Sequence, residues 1–503
     1  MSDSITGLGF GVGLATGVVV TALAKYLFSL SDNKSASQQL TSPATTTTTS
    51  GSTVVDMDKL RRSNIDITLA RLENEFGIPS QRLQAIVKSF ANELKKGLAD
   101  DNQMFLQIPS FVSNRPTGTE LGSYLALDLG GTNFRVCEVL LEGQGRVRIR
   151  QKKYPLTEEL KSGSGKQLFD FFAVKVAEFL DEHGLPRDIK TTLGFTFSFP
   201  VTQTGINQGA LCFWNKGFSC EGVVGHDVCE LLQSALTRQG LNITVSALVN
   251  DTVGTLVAHA YTDPQTYVGI ILGTGTNAAY VERVENITKW NGPIPPNGEM
   301  IMNTEWGGFN EPAVLNITKY DKTIDRASAN PGIQVFEKLI SGMYLGEITR
   351  QVIVDLISTG ELFRGQSSPA INKGYSFETA FMSRIERDHT LELADTKAVL
   401  EDLLKVPATT IDDRRIVKRI CELVGTRAAR LSAAATAAII TKINKLDGCT
   451  VAIDGSLFEH YPHFANRMRD ALHELLGLSA ENIVLTLAHD GSGQGAALIA
   501  AVA

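Results

Sequence analysis

The sequence has little of what nucleic-acid binding, disulfide bonding or metal clustering requires. Its 54 acidic residues outnumber 47 basic ones, the net charge is −7, and the largest basic concentration, at Lys59, Arg61 and Arg62, is small. Because nucleic-acid phosphates are bound by a concentrated basic face, nucleic acid is excluded as a partner. The six cysteines form no CxxC pair, which indicates reduced core thiols in a cytosolic compartment.

Long uncharged runs are also scarce, and the one that stands out lies at the start of the chain. Residues 5–24 carry no charge, and a helix of that length is about 30 Å long, the thickness of a bilayer core. The run is too long for a signal peptide and has no Arg for a transit peptide, so residues 1–30 are predicted to be an uncleaved membrane anchor. Five glycines within the run leave peripheral insertion open. The cations that follow it place the body of the protein in the cytosol by the positive-inside rule.

The rest of the chain divides into a polar segment and a long globular part. Residues 31–56 are rich in Ser and Thr and poor in bulky apolar groups, so we expect a flexible tether. Residues 57–98 predict two helices, the second beginning with Ser80 as its N-cap. From residue 123 onward, short apolar runs alternate with helical patterns, among them one long helix predicted at residues 336–357. This alternation is typical of an α/β fold, which we expect to form two lobes.

Four glycine-rich turns follow apolar strand patterns. They lie at residues 128–133, 273–277, 454–456 and 490–493. Glycines bring backbone N–H groups close to an anion and hydroxyls add donors, so these turns are suited to nucleotide phosphates. Neither a Walker A lysine motif nor a GxGxxG motif is present, which argues against the nucleotide-binding classes that those motifs mark.

Polar side chains also stand at predicted strand ends between and after the first two turns. Asp251 ends a buried strand, where it could be a general base or simply a cap of the next helix. The other members of this group are Ser198, Asn215, Lys216, Asn250, Glu305 and, within a helical pattern, Glu337.

Several motifs in order resemble the eukaryotic hexokinases, most closely the fungal hexokinase and glucokinase group. They include LDLGGTNFRV (127–136), LGFTFSFP (193–200), LVNDTVGT (248–255), LGTGTNAAY (272–280), NTEWGGF (303–309) and DGSLFEHYP (454–462). The resemblance covers about residues 60–503 and implies an actin-like ATPase (ribonuclease H-like) fold with a closing cleft between two lobes. It implies a small lobe at 119–249 with the C-terminal helix 490–503 returning to it, a large lobe at 250–489, and a helical part at 57–118 on the large lobe.

The resemblance also assigns roles in transfer of the ATP γ-phosphoryl group to the 6-hydroxyl of a hexose. Asp251 is similar to the general base, and Lys216 to the cation near the reacting groups. The positions that match sugar-binding residues are Ser198, Asn215, Lys216, Asn250, Asp251, Asn277, Glu305 and Glu337. Those that match ATP-binding residues are Asp128, Gly130, Gly131, Thr132, Asn133, Arg135, Thr274, Gly275, Gly455 and Ser456. Asp128 would hold Mg²⁺ through water, as suits a hard cation.

The expected activity is that of an ATP-dependent hexokinase at the first step of glycolysis, with glucose as the main substrate and fructose or mannose as others. One departure bears on the substrate: Asn215 stands where the family usually has Thr. A preference for N-acetylglucosamine, or a sugar-sensing protein with weak catalysis, therefore remains an alternative. By analogy with membrane-tethered family members, the protein is expected on the cytosolic face of the mitochondrial outer membrane, as a monomer or homodimer.

Overall fold

The computed structural model describes residues 57–131, 133–214 and 217–502, with the backbone alone for residues 57–65. The chain divides into two compact units, Met1–Met57 and Asp58–Ala503, and the fold below is that of the second. The predicted anchor (1–30) and tether (31–56) lie outside the described residues, and so do Thr132, Asn215 and Lys216.

Strands and helices alternate along the described chain. The strands are β1 (Ile108–Pro109), β2 (Leu121–Leu129), β3 (Asn133–Glu142), β4 (Val147–Pro155), β5 (Thr191–Phe197), β6 (Val201–Gly205), β7 (Gln208–Leu211), β8 (Ile243–Val249), β9 (Thr266–Leu272), β10 (Thr276–Arg283), β11 (Glu299–Asn303), β12 (Cys449–Asp454) and β13 (Ile483–Leu487). The helices are α1 (Met57–Phe76), α2 (Ser80–Ala99), α3 (Glu158–Ser162), α4 (Gly165–Glu182), α5 (Val228–Arg238), α6 (Asp251–Ala260), α7 (Lys319–Ala327), α8 (Val335–Ile340), α9 (Gly342–Ser358), α10 (Pro369–Asn372), α11 (Thr379–Glu386), α12 (Ala394–Lys397), α13 (Ile411–Lys442), α14 (Ser456–His460), α15 (Phe464–Leu476) and α16 (Gly491–Val502).

The small lobe is built on a five-stranded sheet of order β4-β3-β2-β5-β8. The strands β2, β5 and β8 run parallel, and in their register Asp128 pairs with Thr196 and Thr196 with Val249. Their carboxyl ends therefore meet at one edge, where ligands of open α/β sheets bind. Alternate residues of β5 face opposite sides: Phe195 packs into the aromatic core against α4, whereas Gly194 and Thr196 face α16.

The large lobe is built on a six-stranded sheet of order β1-β11-β10-β9-β12-β13. The strands β9, β12 and β13 run parallel, and β9 and β10 form an antiparallel hairpin. Asp454, the last residue of β12, pairs with Ile271 near the end of β9, so the second and third glycine turns are neighbours. The segment before the small lobe adds β1 to this sheet and buries α2 residues such as Phe90 in the large-lobe core.

Two helices, α6 and α16, pack against each other between the two sheets. A Cβ atom on Gly495 of α16 would lie 2.0 Å from the carbonyl oxygen of Gly254 in α6. A Cβ atom on Gly269 of β9 would lie 2.5 Å from the carbonyl oxygen of Thr252, and one on Gly194 of β5 would lie 2.0 Å from that of Ala496. The backbones touch at these points, so the absence of side chains sets how closely the helices approach each sheet.

One helix of the described chain, α13, is long and apolar enough to span a bilayer by length and composition. Its residues are mostly buried, and 83% of its most apolar stretch of 18 residues lies inside the protein. Its apolar residues, Val424 and Ile439 among them, belong to the large-lobe core. In this fold α13 is a core helix.

Two sequence predictions of helix bounds are wrong. The predicted helix over 336–357 is two helices, α8 and α9, because Ser341 is extended with φ −87° and ψ 153°. The backbone N–H groups of Gly342 and Met343 bond to the carbonyls of Gly273 and Thr274 instead of continuing α8. Ser80 is the first residue of α2 rather than its N-cap, which is Pro79.

Candidate active site

The first glycine turn joins β2 to β3 at the edge where the parallel strands of the small lobe end. Gly130 N–H donates to the carbonyl of Asn133 at 3.1 Å, and Asn133 is exposed as the first residue of β3. Gly131 is half-buried in the same turn, while Thr132 lies outside the described residues. The turn leaves its backbone close to the surface, as phosphate binding requires.

A charged cluster lies directly beneath this turn. Arg135 on β3 donates through Nε to Oδ2 of Asp128 at 2.8 Å and through Nη1 to Oδ1 of Asp490 at 2.6 Å. Ser492 donates through Oγ to Oδ2 of Asp128 at 2.9 Å. Burial alone would lower the pKa of Arg135, but the charge and hydrogen bond of Asp128, together with the charge of Asp490, raise it above its ordinary value. Arg135 is therefore a fixed positive charge beside the predicted phosphate turn.

A third carboxylate comes from the end of β12. The Gly491 N–H at the start of α16 donates to Oδ2 of Asp454 at 3.3 Å, and burial raises the pKa of Asp454 above its ordinary value. In the described residues, no group of three or more His, Cys, Asp or Glu side chains is arranged to hold a metal ion by itself. Asp128, Asp454 and Asp490 therefore form a partly neutralised acidic edge and not a closed metal cage.

The third glycine turn packs directly on the second. Gly455 has φ +122°, and a Cβ atom there would lie 2.4 Å from the carbonyl oxygen of Leu272. Only glycine allows this approach, because any side chain would meet the backbone of β9. Ser456 follows as the exposed first residue of α14, and Thr274 is exposed in the neighbouring turn.

A cavity of about 700 Å³ opens beside these two turns. Thr274, Met343 and Ser456 are among the residues that line it. Another part of its wall is formed by residues that sequence reasoning missed: Thr379, Ala380, Ser383, Arg384, Arg387 and Asp395. Their segment carries no glycine turn or strand-end carboxylate, so only the folded chain brings it to the site. A nucleoside-sized molecule fits this volume.

On the other side of the second turn, Asn277, Asn303 and Glu305 form a hydrogen-bonded group. Asn277 Nδ2 donates to Oδ1 of Asn303 at 2.8 Å and to Oε1 of Glu305 at 3.2 Å. Asn303 Nδ2 donates to the same Glu305 oxygen at 2.8 Å. Glu305 is left-handed with φ 54°, a conformation that is uncommon outside glycine and is found at functional sites. Asn303, at the end of β11, was not predicted as a site residue.

Glu337 reaches the same region from α8. Its Oε2 accepts a hydrogen bond from the backbone N–H of Thr276 at 3.0 Å, directly after Thr274 and Gly275. The sugar-binding candidate Glu337 therefore touches the second glycine turn.

Asn250 and Asp251 lie at the junction of β8 and α6. Asn250 is the N-cap of α6, and its Oδ1 accepts from Thr252 N–H at 2.9 Å. Asp251 is the first residue of the helix, half-buried, and its Oδ1 accepts from the same N–H at 2.9 Å. The cap is therefore Asn250, and the carboxylate of Asp251 lies at the positive end of the helix, which stabilises its charge. Ser198 is buried just beyond the neighbouring strand β5.

The segment that carries Asn215 and Lys216 is bounded by stacked aromatic rings. Trp214 and Phe218 stack with centroids 5.1 Å apart, and Phe199 packs edge-on to Trp214 at 4.9 Å. Trp214 Nε1 also donates to the carbonyl of Cys220 at 2.9 Å. The ends of this segment are held against the strand end at which Ser198 lies.

Comparisons with known proteins agree with this arrangement. The hexokinase family matches the chain in two consecutive parts, residues 68–261 and 267–502. Hexokinase-7 of Oryza sativa subsp. japonica is 43% identical over 445 residues, which cover 86% of this chain and 96% of that protein. Hexokinase-1 of Schizosaccharomyces pombe is 41% identical over 464 residues, covering 92% and 94% respectively. The structure of a hexokinase from Schistosoma mansoni complexed with glucose superposes with a TM-score of 0.82 at 41% identity, over 88% of this chain and 100% of that one.

These matches confirm the predicted resemblance and the two-lobed α/β fold. The matches span nearly all of the described chain, in fold as well as in sequence. The protein is an enzyme of hexose phosphorylation, and the chain belongs to the hexokinase family.

Proposed function

We propose that the enzyme transfers the γ-phosphoryl group of ATP to the 6-hydroxyl of a hexose, with glucose as the main substrate. The observation that carries this proposal is the placement of Asp251 at the positive end of α6, directly after Asn250 and the strand β8, which pairs with β5, the strand that ends before Ser198. A carboxylate at a strand edge can accept the proton of the attacking hydroxyl. The sugar oxygen then bonds to the γ-phosphorus, the bond to the bridging oxygen breaks, and ADP leaves.

The remaining polar groups hold the sugar. Asn277, Glu305 and Glu337 provide carboxylate and amide groups that accept from and donate to vicinal hydroxyls at fixed angles. Because Asn277 and Asn303 both bond to Glu305, its carboxylate is oriented before a sugar binds. Asn215 and Lys216 complete the proposed site, Lys216 as the cation near the transferring phosphoryl group.

ATP would bind across the glycine turns, with its phosphates toward Gly130, Gly131 and Gly275 and its nucleoside in the cavity beside Thr274 and Ser456. Backbone N–H groups of such turns and the fixed charge of Arg135 offset phosphate charge, which is most of what phosphoryl transfer asks of a protein. The packing of Gly455 on the second turn supports this role, since it brings the nucleoside and phosphate sides into contact.

The residues fit Mg²⁺ bound chiefly by the nucleotide and water, with Asp128 as the protein's contribution. The side-chain hydrogen bonds that Asp128 accepts from described residues all end on Oδ2, which leaves the other carboxylate oxygen to a metal-bound water. Mg²⁺ is commonly held through one or two carboxylates and substrate phosphates. When bound, it would neutralise developing charge on the phosphates.

We also propose that residues 5–24 hold the enzyme on the cytosolic face of the mitochondrial outer membrane, with residues 31–56 as the tether. The uncharged run and the cations that follow it support this. A fluorescent fusion of residues 1–56 should coincide with an outer-membrane marker, and a diffuse cytosolic signal would contradict the proposal.

Asn215 favours a second candidate substrate, a hexose with an N-acetyl group. Its amide adds a donor and an acceptor where the family usually has a hydroxyl. A coupled assay of the full chain with ATP and a panel of glucose, fructose, mannose and N-acetylglucosamine tests both candidates. Glucose 6-phosphate as the dominant product supports the first; N-acetylglucosamine as the best substrate supports the second. Glucose binding without any phosphorylated product would instead indicate a sensor.

A further inference from the structure

The turn at residues 273–276 is held by hydrogen bonds from residues near the proposed sugar site as well as from residues near the proposed nucleotide site. Thr276 donates its N–H to Glu337 Oε2 at 3.0 Å, and its Oγ1 accepts from Trp306 Nε1 at 3.0 Å. The same hydroxyl donates to the carbonyl of Ile271 at 2.9 Å. Thr276 is buried, so these bonds fix the end of the turn in a water-poor setting.

The other end of the turn is held by the start of α9. Gly342 N–H donates to the carbonyl of Gly273 at 2.8 Å, and Met343 N–H donates to that of Thr274 at 3.1 Å. Ser341, which separates α8 from α9, donates its N–H to the carbonyl of Glu337 at 2.9 Å. One short segment, 337–343, therefore carries both the sugar carboxylate and the backbone groups that hold the nucleotide turn.

The backbone lies close to its neighbours at two of these glycines. A Cβ atom on Gly275 would lie 2.7 Å from Glu337 Oε2, and one on Gly342 would lie 2.8 Å from the carbonyl oxygen of Gly273. By contrast, a Cβ atom on Gly273 would meet nothing closer than 3.8 Å. A methyl group at Gly275 would therefore displace the Glu337 carboxylate, whereas one at Gly273 would not.

We propose that Glu337 is a positioning residue for ATP as well as a sugar ligand, so that hexose and ATP binding are coupled directly within the large lobe. This inference rests on the proposed sugar role of Glu337 and phosphate role of the turn. A sugar hydroxyl bonded to Glu337 restricts its carboxylate, which restricts the Thr276 N–H and the turn before the nucleotide arrives. The ordering cost of the second ligand is thereby lowered, and linkage requires that each ligand tighten the other by the same factor.

Coupling through lobe closure alone makes a different prediction. In that case Glu337 affects nucleotide affinity only when a sugar is bound, because a sugar is needed to close the cleft. Under direct coupling, loss of the Glu337 carboxylate weakens nucleotide binding even without sugar.

The test uses isothermal titration of the full chain in detergent with glucose and with the magnesium complex of adenylyl imidodiphosphate, each alone and together. Gly275→Ala is expected to weaken glucose binding measured without nucleotide by about tenfold, since the methyl group displaces Glu337. Gly273→Ala is the matched control: it adds the same methyl group to the same turn where there is room, and the glucose Kd should stay within about twofold. Equal glucose affinities in Gly275→Ala and Gly273→Ala would overturn the proposal.

If Gly275→Ala does not fold, a second pair of variants, Glu337→Ala and Glu305→Ala, tests the proposal through nucleotide binding. Glu337→Ala should weaken the nucleotide analogue about fivefold or more in sugar-free protein, the low end of a typical coupling. Glu305→Ala removes the other sugar carboxylate, which bonds to Asn277 and Asn303, and should leave the analogue affinity unchanged. Unchanged analogue affinity in Glu337→Ala refutes direct coupling. A wild-type chain that neither binds nor phosphorylates glucose would refute the proposed function instead.

Discussion

The guanidinium of Arg135 lies against the carboxylate of Asp128, with Nε 2.8 Å from Oδ2. The two residues pair across neighbouring strands, β3 and β2, so the sheet register itself sets the contact. Arg135 also bonds to Asp490 from the far end of the chain. A single cation thus joins the first glycine turn to the start of the C-terminal helix.

Loss of this cation should reduce both stability and use of ATP. Arg135→Ala leaves two partly buried carboxylates without their partner, which costs about 3 kcal/mol of unfolding free energy. We also expect kcat/KM for ATP to fall about a hundredfold, because phosphate charge is no longer offset. Urea unfolding and steady-state kinetics measure the two effects. Arg148→Ala on β4 is the control: its ion pair with Glu142 is exposed and should contribute less than about 1 kcal/mol.

Asp251→Asn should separate catalysis from binding. The amide oxygen can still accept the Thr252 N–H, so α6 should start at the same residue, but the side chain cannot take a proton. Turnover should fall by about a thousandfold or more while the glucose Kd changes by less than about tenfold. Single-turnover kinetics and titration calorimetry measure these quantities. Turnover close to that of the wild type would show that another group is the base.

The contact of α16 with α6 should tolerate no added methyl group. Gly495→Ala places a Cβ atom 2.0 Å from the Gly254 carbonyl oxygen, which must force the helices apart at a cost of about 1–3 kcal/mol. Because α16 begins at the acidic edge of the site, activity should fall with stability. Gly448→Ala is the control, since nothing lies within 4 Å of its Cβ and its φ is not positive. Equal melting temperatures for the two variants would contradict the packing argument.

One histidine should make stability depend on pH. His259 in α6 bonds through Nδ1 with Thr266 Oγ1 at 2.7 Å, and burial lowers its pKa below the usual 6.5. The unfolded chain therefore takes up a proton before the folded one does, so the free energy of unfolding should decrease as pH falls below about 6.5. Above that pH both states are neutral and the effect vanishes. Urea unfolding across pH 5–8 should show a smaller decrease for His259→Gln than for the wild type or the exposed control His226→Gln.

Asn215 should influence the choice of sugar. Asn215→Thr restores the residue usual in the family, and we expect the ratio of kcat/KM for glucose over N-acetylglucosamine to rise about tenfold, the effect of one or two hydrogen bonds. The panel assay with ATP measures it. A ratio that stays the same would exclude Asn215 as a determinant of sugar preference.

Features of the fold that depend on local sequence pattern, such as the positions of the glycine turns, could be predicted from the sequence. The glycine turns predicted at residues 128–133, 273–277 and 454–456 lie at the ends of β2, β9 and β12. The break at Ser341 was missed because its cause is distant: the carbonyls of Gly273 and Thr274 capture the N–H groups that would continue α8. The spacing of apolar residues within a helix carries no information about hydrogen-bond acceptors that are distant in the sequence.

The residues of the candidate site were likewise predictable only in part. Residues within motifs, such as Asp128 and Glu305, could be named from the chain alone. Asn303 and the cavity wall that contains Arg384 and Asp395 could not be named in this way. The role of each depends on the side chain that the fold places beside it, which is Glu305 for Asn303 and the ion-pair partner for Arg384 and Asp395. The pairing of Arg135 with Asp490 joins positions 355 residues apart, beyond any pattern of spacing.

The stacking of Trp214 on Phe218 gives the enzyme an optical signal of its own. The chain has three tryptophans, and Trp306 is fully buried with its Nε1 bonded to Thr276. Trp214 is only half-buried and directly precedes Asn215 and Lys216. The part of an emission change on sugar addition that disappears in Trp214→Phe therefore reports on this segment, which allows sugar occupancy to be followed without a label and without turnover.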